Sequence, residues 1–153
     1  MAILSEGHKA PDFSGITQAN KTISLADFKG KKLILYFYPK DNTPGCSAQA
    51  KNLAENYQML QKYGYEVIGV SPDSIDRHQK FIEKFNLPFS LIADTEKTIL
   101  ETYGVWGEKK LYGRTYMGVH RTTFIIDENG VIEHIIRKVK TTDHTNQILN
   151  KKN

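Results

Sequence analysis

The feature that most constrains the fold is an unbroken apolar run, Leu33 to Tyr38. A strand with one face in water alternates apolar and polar residues, so a run without polar residues predicts a strand that is covered on both faces. Such strands are typical of parallel sheets, whose neighbouring strands are joined by crossover helices. The run therefore favours an α/β fold with helices on both sides of a sheet.

The segments after this run alternate between helical and strand patterns. Apolar residues spaced by four and three predict a helix that continues from Cys46 through Leu60 and ends at Gly64. A strand, Glu66 to Val70, comes next, followed by a helix that Pro72, Asp73 and Ser74 start and that carries the apolar stripe Ile75, His78, Ile82 and Phe85. The sequence then predicts a third strand, Leu87 to Ala93, a helix opened by Asp94, and a glycine-bearing loop from Gly104 to Gly118. The last predicted segments are two strands around a hairpin turn, Arg121 to Ile126 and Val131 to Arg137, and a final helix, Thr142 to Lys151.

This order predicts parallel βαβ units that lead into an antiparallel pair. The fold class is therefore α/β, with a mixed central sheet flanked by helices. With 153 residues, of which 39 % are hydrophobic, the chain fits a single domain, 1–153, with a proper core.

The single cysteine of the chain, Cys46, lies just past the predicted central strand, in the first turn of the helix after it. Thr43 is a good N-cap residue, and Pro44 suits the first helical position because it lacks an N–H. Cys46 then falls on the third helical residue, where free amides and the positive end of the helix dipole favour a thiolate. Helix-start geometry alone leaves two readings open, an inert core thiol and a nucleophile.

Composition argues against several other functions. The net charge of +4 comes from lysines and arginines scattered in small groups, so we expect no nucleic-acid partner. The five histidines lack short ligand spacings, and no phosphate-cradling glycine loop is present, so we expect neither a metal nor a cofactor. Met1 to Gly15 has no leader pattern, and no window is apolar enough for a membrane span, so we expect a cytoplasmic protein without a membrane partner.

The segment from Tyr36 to Cys46, with Pro39, Thr43 and Cys46 in the spacing Pro, three residues, Thr, two residues, Cys, resembles the active-site segment of the peroxiredoxins. Over nearly its full length the chain is similar to the bacterioferritin comigratory protein or peroxiredoxin Q subfamily. Matching stretches are Ala10 to Phe13, Tyr103 to Lys109 and His120 to Asp127.

The resemblance implies a thioredoxin-like fold and a thiol-dependent peroxidase that reduces hydrogen peroxide and organic hydroperoxides. Cys46 would attack the peroxide and become a sulfenic acid. Thr43 would hydrogen-bond the sulfur and the peroxide, the amides near Gly45 and Cys46 would bind substrate, Pro39 would shield the site, and Arg121 would supply positive charge. Gln49, one helical turn after Cys46, either orients Arg121 or is an ordinary helix-surface residue.

One departure from the subfamily concerns a second, resolving cysteine. Many members carry it five residues after the first, where this chain has Lys51, and others carry it in the region corresponding to Ser74 to Phe85. The resemblance therefore implies an outside thiol as reductant: a small thiol, a thioredoxin-like or glutaredoxin-like protein, or a second copy of a monomeric or weakly dimeric chain. The competing function is a peroxide sensor without turnover, or a holdase.

Overall fold

A computed structural model describes residues 4–151, so the ends of the expected 1–153 domain, residues 1–3 and 152–153, lie outside the described residues. In chain order the elements are β1 (Ser14–Ile16), β2 (Thr22–Ser24), a 3₁₀ helix (Leu25–Phe28), β3 (Lys32–Phe37), α1 (Pro44–Glu55), α2 (Tyr57–Lys62), β4 (Tyr65–Ser71), α3 (Ile75–Phe85), β5 (Ser90–Ala93), α4 (Thr98–Thr102), β6 (Trp106–Leu111), β7 (Arg114–Val119), β8 (Thr122–Ile126), β9 (Ile132–Ile136) and α5 (His144–Asn150).

The central sheet has five strands in the order β5-β4-β3-β8-β9. β3 and β4 are parallel, as are β4 and β5, whereas β3 and β8 are antiparallel, as are β8 and β9. The predicted mixed sheet is therefore confirmed. It follows that the carboxyl ends of β3, β4 and β5 lie on the same edge, together with the start of β8.

The central strand β3 is buried on both faces, as its apolar run predicts. Leu33, Leu35 and Phe37 pack in the core on one side of the sheet, and the alternate residues of the run pack in the core on the other side. Burial of an aliphatic or aromatic side chain of this size contributes roughly 2 kcal/mol to folding. The strand that precedes Cys46 is thus held firmly from both sides.

The helices divide between the two faces of the sheet. α1, α2, α3 and α5 contribute Leu53, Leu60, Phe81 and Ile148 to one core, whereas α4 contributes Leu100 to the other. Within residues 4–151, no helix combines the length and the apolar character that a membrane span requires.

Several predicted boundaries shift for local reasons. The helix predicted from Cys46 to Gly64 breaks into α1 and α2 at Asn56, whose φ of −108° and ψ of 11° are not helical. The third strand begins at Ser90 rather than Leu87, because Asn86 ends α3 in the left-handed region with φ 55°. Asp94 precedes α4 instead of opening it, and its carboxylate accepts a hydrogen bond from the amide of Leu100 at 2.8 Å.

The prediction of a loop from Gly104 to Gly118 is wrong, because this segment forms the hairpin β6–β7. Its two-residue turn places Tyr112 at φ 51° and Gly113 at φ 77°, the positive angles of a tight hairpin turn. Gly107 and Gly118 lie opposite each other in the two paired strands, so neither glycine belongs to a loop. The short hairpin β1–β2 was not predicted at all.

The buried His144 fastens α5 to the sheet. Its Nδ1 lies 2.8 Å from Gln147 Oε1, which only accepts, so Nδ1 carries the ring proton and Nε2 accepts from the Thr123 hydroxyl at 2.8 Å. Burial, with a smaller contribution from the charge of Arg121, lowers the pKa of His144 to about 4, despite the opposing effect of the Gln147 hydrogen bond. The imidazole therefore stays neutral in the folded protein.

This neutral histidine predicts a pH dependence of stability. Because the pKa of His144 is lower in the folded state than the ordinary value near 6.5, the unfolded chain binds the proton first as the pH falls. The contribution of His144 to the free energy of unfolding should be complete above about pH 6.5 and fall by up to about 3 kcal/mol by pH 4.

Urea unfolding at a series of pH values measures this contribution as the difference between the parent and His144→Gln. The exposed His8 provides the matched control, His8→Gln. Parallel stability curves for the parent and His144→Gln across this pH range would contradict the prediction.

Candidate active site

Cys46 occupies the third position of α1, as the Thr43-Pro44 pair predicts. Thr43 is the N-cap residue with extended backbone angles, and Pro44 is the first helical residue. The amides of Gly45 and Cys46 belong to the first turn, so they have no acceptor within the helix. The Cys46 side chain is only 2 % exposed and belongs to the core between α1 and the sheet.

The Thr43 side chain does not make the capping contact that its position suggests. Its hydroxyl donates to the carbonyl of Lys40 at 2.8 Å, and no side-chain cap is formed. Because a carbonyl only accepts, the hydroxyl hydrogen is committed and the lone pairs of Oγ1 remain. Toward a ligand, Thr43 is therefore a hydrogen-bond acceptor. Pro39 is half-buried in the same turn.

Arg121 directly precedes β8, the strand beside β3, and its guanidinium contacts the sulfur. Its Nη2 lies 3.3 Å from Cys46 Sγ, and its Nη1 donates to Gln49 Oε1 at 2.7 Å. The antiparallel register pairs Phe37 with Thr122, so the residue before β8 lies next to the turn that follows β3. Gln49 is fully buried, so of its two readings the orienting one is confirmed.

Gly45 leaves room for this guanidinium. A Cβ at Gly45 would lie 3.2 Å from Arg121 Nη2 and 3.9 Å from Thr141 Cγ2. The first of these distances is tighter than an ordinary contact, so a side chain here would press on the group that contacts the sulfur. Glycine at the second helical position thus lets Arg121 cross the start of α1.

A buried pair, Asp41 and His78, anchors the turn that carries Cys46. His78 Nε2 lies 2.9 Å from the carbonyl oxygen of Ile92, and His78 Nδ1 lies 2.6 Å from Asp41 Oδ2. The Tyr38 hydroxyl donates to the other carboxylate oxygen at 2.5 Å. Burial above all, then the nearby Tyr36 and Asp41, raises the pKa of Tyr38, so its phenol remains a donor.

Asp73 extends this network to the end of β4. Its Oδ2 accepts from the amide of Asp41 at 2.8 Å and from the Ser71 hydroxyl at 2.6 Å, and Arg77 lies 3.2 Å from its Oδ1. Ligand atoms of Asp41, Asp73 and His78 lie within 4.8 Å of one another, the one group within residues 4–151 that could hold a metal ion. Each of the three side chains is already hydrogen-bonded to protein groups, and these bonds stabilise the turn that follows β3.

The structure brings Thr43, Gly45, Cys46 and Arg121 together at one edge of the sheet. Sequence reasoning missed the Asp41–His78 pair. A signal for it existed, because Asp41 follows β3 and His78 lies on the apolar stripe of the helix after β4. Parallel neighbours end at the same edge of a sheet, so the two residues could have been expected to meet.

On this thioredoxin-like fold, a lone thiol at a helix start lies beside a guanidinium at the carboxyl edge of a mixed sheet. The profile of the AhpC/TSA family matches residues 6–135, and the chain belongs to this family. It is a peroxiredoxin, a thiol-dependent peroxidase.

Individual relatives agree with this assignment. The chain is 47 % identical over 143 residues to a putative peroxiredoxin bcp from Coxiella burnetii, covering 94 % of this chain and 95 % of that one. It is 45 % identical over 143 residues to the peroxiredoxin Bcp of Bacillus subtilis, covering 94 % and 91 %.

Solved structures of peroxiredoxin Q have the same fold. A cysteine-to-serine mutant of PrxQ from Xylella fastidiosa superimposes with a TM-score of 0.92 at 29 % identity, covering 99 % of this chain and 96 % of that one. Peroxiredoxin Q from Xanthomonas campestris gives a TM-score of 0.85 at 30 % identity, covering 91 % and 88 %. The Xanthomonas protein was solved with either of two different cysteines replaced by serine, whereas this chain has one cysteine.

The buried pair predicts a large stability effect. His78→Phe keeps the ring volume but leaves the Asp41 carboxylate buried without its partner, so the free energy of unfolding should fall by about 3 kcal/mol or more. Adding Asp41→Asn to this variant should recover part of the loss, because it removes the unpaired charge. Urea unfolding of the parent, both single variants and the double variant measures the coupling. Strictly additive losses would contradict the pairing.

Proposed function

We propose that Cys46 is the peroxidatic cysteine and that an outside thiol regenerates it. The observation that carries the proposal is the 3.3 Å contact between Arg121 Nη2 and Cys46 Sγ at a helix start. A guanidinium, free amides and the helix dipole all stabilise negative charge on the sulfur. The single cysteine of the sequence supports the need for an outside thiol.

In the peroxide step, the thiolate sulfur attacks the oxygen of a hydroperoxide that carries the hydrogen. The S–O bond forms, the O–O bond breaks, and the leaving alkoxide or hydroxide takes a proton from solvent to become alcohol or water. Thr43 accepts a hydrogen bond from the peroxide O–H and thereby orients it. Arg121 and the amides of Gly45 and Cys46 stabilise the leaving oxygen, and Pro39 shields the sulfur from water.

Ionisation alone does not explain such a site. An ordinary thiol with a pKa of about 8.5 is roughly 3 % ionised at pH 7, so complete ionisation gains about 30-fold, or about 2 kcal/mol. Enzymes typically lower barriers by about 8 kcal/mol or more. The remainder is assigned to alignment of the peroxide and to stabilisation of the leaving oxygen by the groups around Cys46.

The proposal also covers the peroxide substrates, the thiol reductant, the cellular compartment and the oligomeric state. Hydrogen peroxide and organic hydroperoxides both have the O–H that Thr43 binds. The reductant is a small thiol or a thioredoxin-like or glutaredoxin-like protein, which suits a cytoplasmic enzyme that acts as a single domain and as a monomer or weak homodimer. A peroxide sensor without turnover shares the first step, and consumption of many equivalents of peroxide with an added thiol distinguishes the enzyme from it.

The residue roles predict matched losses of rate. Thr43→Val and Arg121→Met should each slow the peroxide step by about 100-fold, because each removes a group that aligns peroxide or stabilises charge in the transition state. Quenched-flow mass spectrometry of Cys46 oxidation gives the rate constant, and the rate of Cys46 alkylation in the same variant corrects for thiolate content.

The chain offers a control for each variant. Thr102 makes the same hydroxyl-to-carbonyl bond as Thr43, to Thr98 at 2.8 Å on α4, and Arg114 is an exposed arginine of the β6–β7 hairpin. Thr102→Val and Arg114→Met should react like the parent. Parent-like rates in Thr43→Val and Arg121→Met would overturn the proposed site.

The fate of the oxidised sulfur is a separate prediction. Residue 51 lies about 140° around and about 7.5 Å along a straight helix from Cys46, too far for a disulfide unless the first turns of α1 unwind. With excess peroxide and no thiol, mass spectrometry should show the addition of one and then two oxygens. Lys51→Cys should divert the product to an internal disulfide if the helix start unwinds.

Glu55→Cys is the matched control, since it adds an exposed cysteine to the same helix one turn further on. It should over-oxidise like the parent. A Lys51→Cys variant that also over-oxidises like the parent would identify a rigid site whose sulfenic acid can react only with a thiol from outside.

A further inference from the structure

A polar cleft of about 530 Å³ has Arg121 in its lining. This volume lies within the range of small-molecule sites. The side chains that give the cleft its character are Lys109, His120, Arg121, Thr122, Arg137 and Lys138.

Charge distinguishes this cleft from the rest of the surface. Its lining holds two lysines and two arginines and no carboxylate. The whole chain has 21 Lys and Arg against 17 Asp and Glu, so a mixed lining would be expected from composition alone. A concave site with charges of one sign concentrates ligands of the opposite sign.

The β6–β7 hairpin contributes Lys109 to the lining of the cleft. Side chains alternate between its two faces, so Lys109 and Tyr116 share a face with Gly107 and Gly118. A Cβ at Gly118 would lie 3.0 Å from Lys109 Cδ and 3.3 Å from a ring carbon of Tyr116, so these side chains lie across the glycine. Lys109 Nζ donates to the carbonyl of Val119 at 3.0 Å. The position of the ammonium is thus fixed before a ligand arrives.

Arg121 connects the cleft to the reacting sulfur. It lines the cleft, and its Nη2 contacts Cys46 Sγ at 3.3 Å. Val139, which also lines the cleft, packs against the core that contains Cys46. The cleft and the sulfur therefore share one guanidinium.

We infer that this cationic cleft binds the carboxylate of a small co-substrate whose reactive group reaches Cys46 beside Arg121. Ammonium and guanidinium groups bind carboxylates through charge-assisted hydrogen bonds. The inference rests on the proposed role of Cys46 and extends it to the co-substrate. A polar cationic lining selects a hydrophilic anion over a neutral alkyl chain.

The same carboxylate can belong to the thiol or to the hydroperoxide. A thiol attacks the Cys46 sulfenic acid, so that an S–S bond forms, the S–O bond breaks, and the hydroxyl leaves with the thiol proton as water. A second thiol then releases Cys46 and departs as the small-molecule disulfide. A hydroperoxide that carries a carboxylate would instead use the cleft in the preceding step.

Two experimental arms separate these sources. In the first, preformed Cys46 sulfenic acid is mixed with glutathione or with its diethyl ester, which have the same thiol but opposite net charge. In the second, reduced protein is mixed with a medium-chain hydroperoxy acid or with its methyl ester. The measured quantity in each arm is the ratio of rate constants for the acid and its ester, which cancels any general loss of activity in a variant.

Lys109→Gln should lower this ratio by about two- to fivefold in the arm that uses the cleft, the effect expected for one partly exposed charge. Lys110 follows Lys109 on β6 and therefore points to the opposite face, so Lys110→Gln is the control and should leave the ratio unchanged. The parent ratio should also fall as salt is raised. A lower acid-to-ester rate ratio for Lys109→Gln in either arm supports the inference. The arm in which the ratio falls shows whether the carboxylate belongs to the thiol or to the hydroperoxide.

Equal ratios in the parent, Lys109→Gln and Lys110→Gln in both arms would overturn the inference. Binding of S-methylglutathione, which has no reactive thiol, is also measured by direct titration. This binding tests the cleft even if Cys46 has no peroxidase activity. If Cys46 fails to react with hydrogen peroxide, the proposed function fails. Weaker binding of S-methylglutathione to Lys109→Gln than to Lys110→Gln would still support the cleft, and equal binding would refute it.

Discussion

The antiparallel pairing of β3 with β8 is the constraint on which the site depends. It sets Phe37 opposite Thr122, so the turn that leaves β3 and the residue that enters β8 meet at one edge of the sheet. Cys46 comes from the first of these segments and Arg121 from the second, 75 residues apart in the chain. β3 itself is held by apolar packing on both faces of the sheet. The geometry at the sulfur is therefore secured by the core and not by the loop.

Much of this arrangement could be predicted, because the relevant signals are local or periodic. The apolar run of β3, the Thr43-Pro44 helix start and the stripe of α1 each follow from steric and burial preferences of nearby residues. The β6–β7 hairpin escaped prediction because Gly107 and Gly118 suggest a loop when they are read singly. Their meaning depends on the partner strand, since each leaves room for side chains from across the hairpin.

The Asp41–His78 pair and the cationic cleft escaped for a different reason. Neither has a sequence spacing of its own, because their members come from separate segments that meet only once the sheet is assembled. Asp41 comes from the turn after β3, His78 from α3 and Lys109 from β6. The sequence could still predict which residues follow the strands at the carboxyl edge. It could not predict which of their atoms would lie within hydrogen-bond distance.

In the proposed peroxide step, the direction of one hydrogen bond sets which peroxides Thr43 can align. Since the Thr43 hydroxyl gives its hydrogen to the Lys40 carbonyl, it can hold only a partner that has a hydrogen to donate. A hydroperoxide has that hydrogen, whereas a dialkyl peroxide, with carbon on both oxygens, does not. With Thr43 in its proposed role, the Lys40 carbonyl thus restricts this site to peroxides that have an O–H, independently of the size or shape of the pocket.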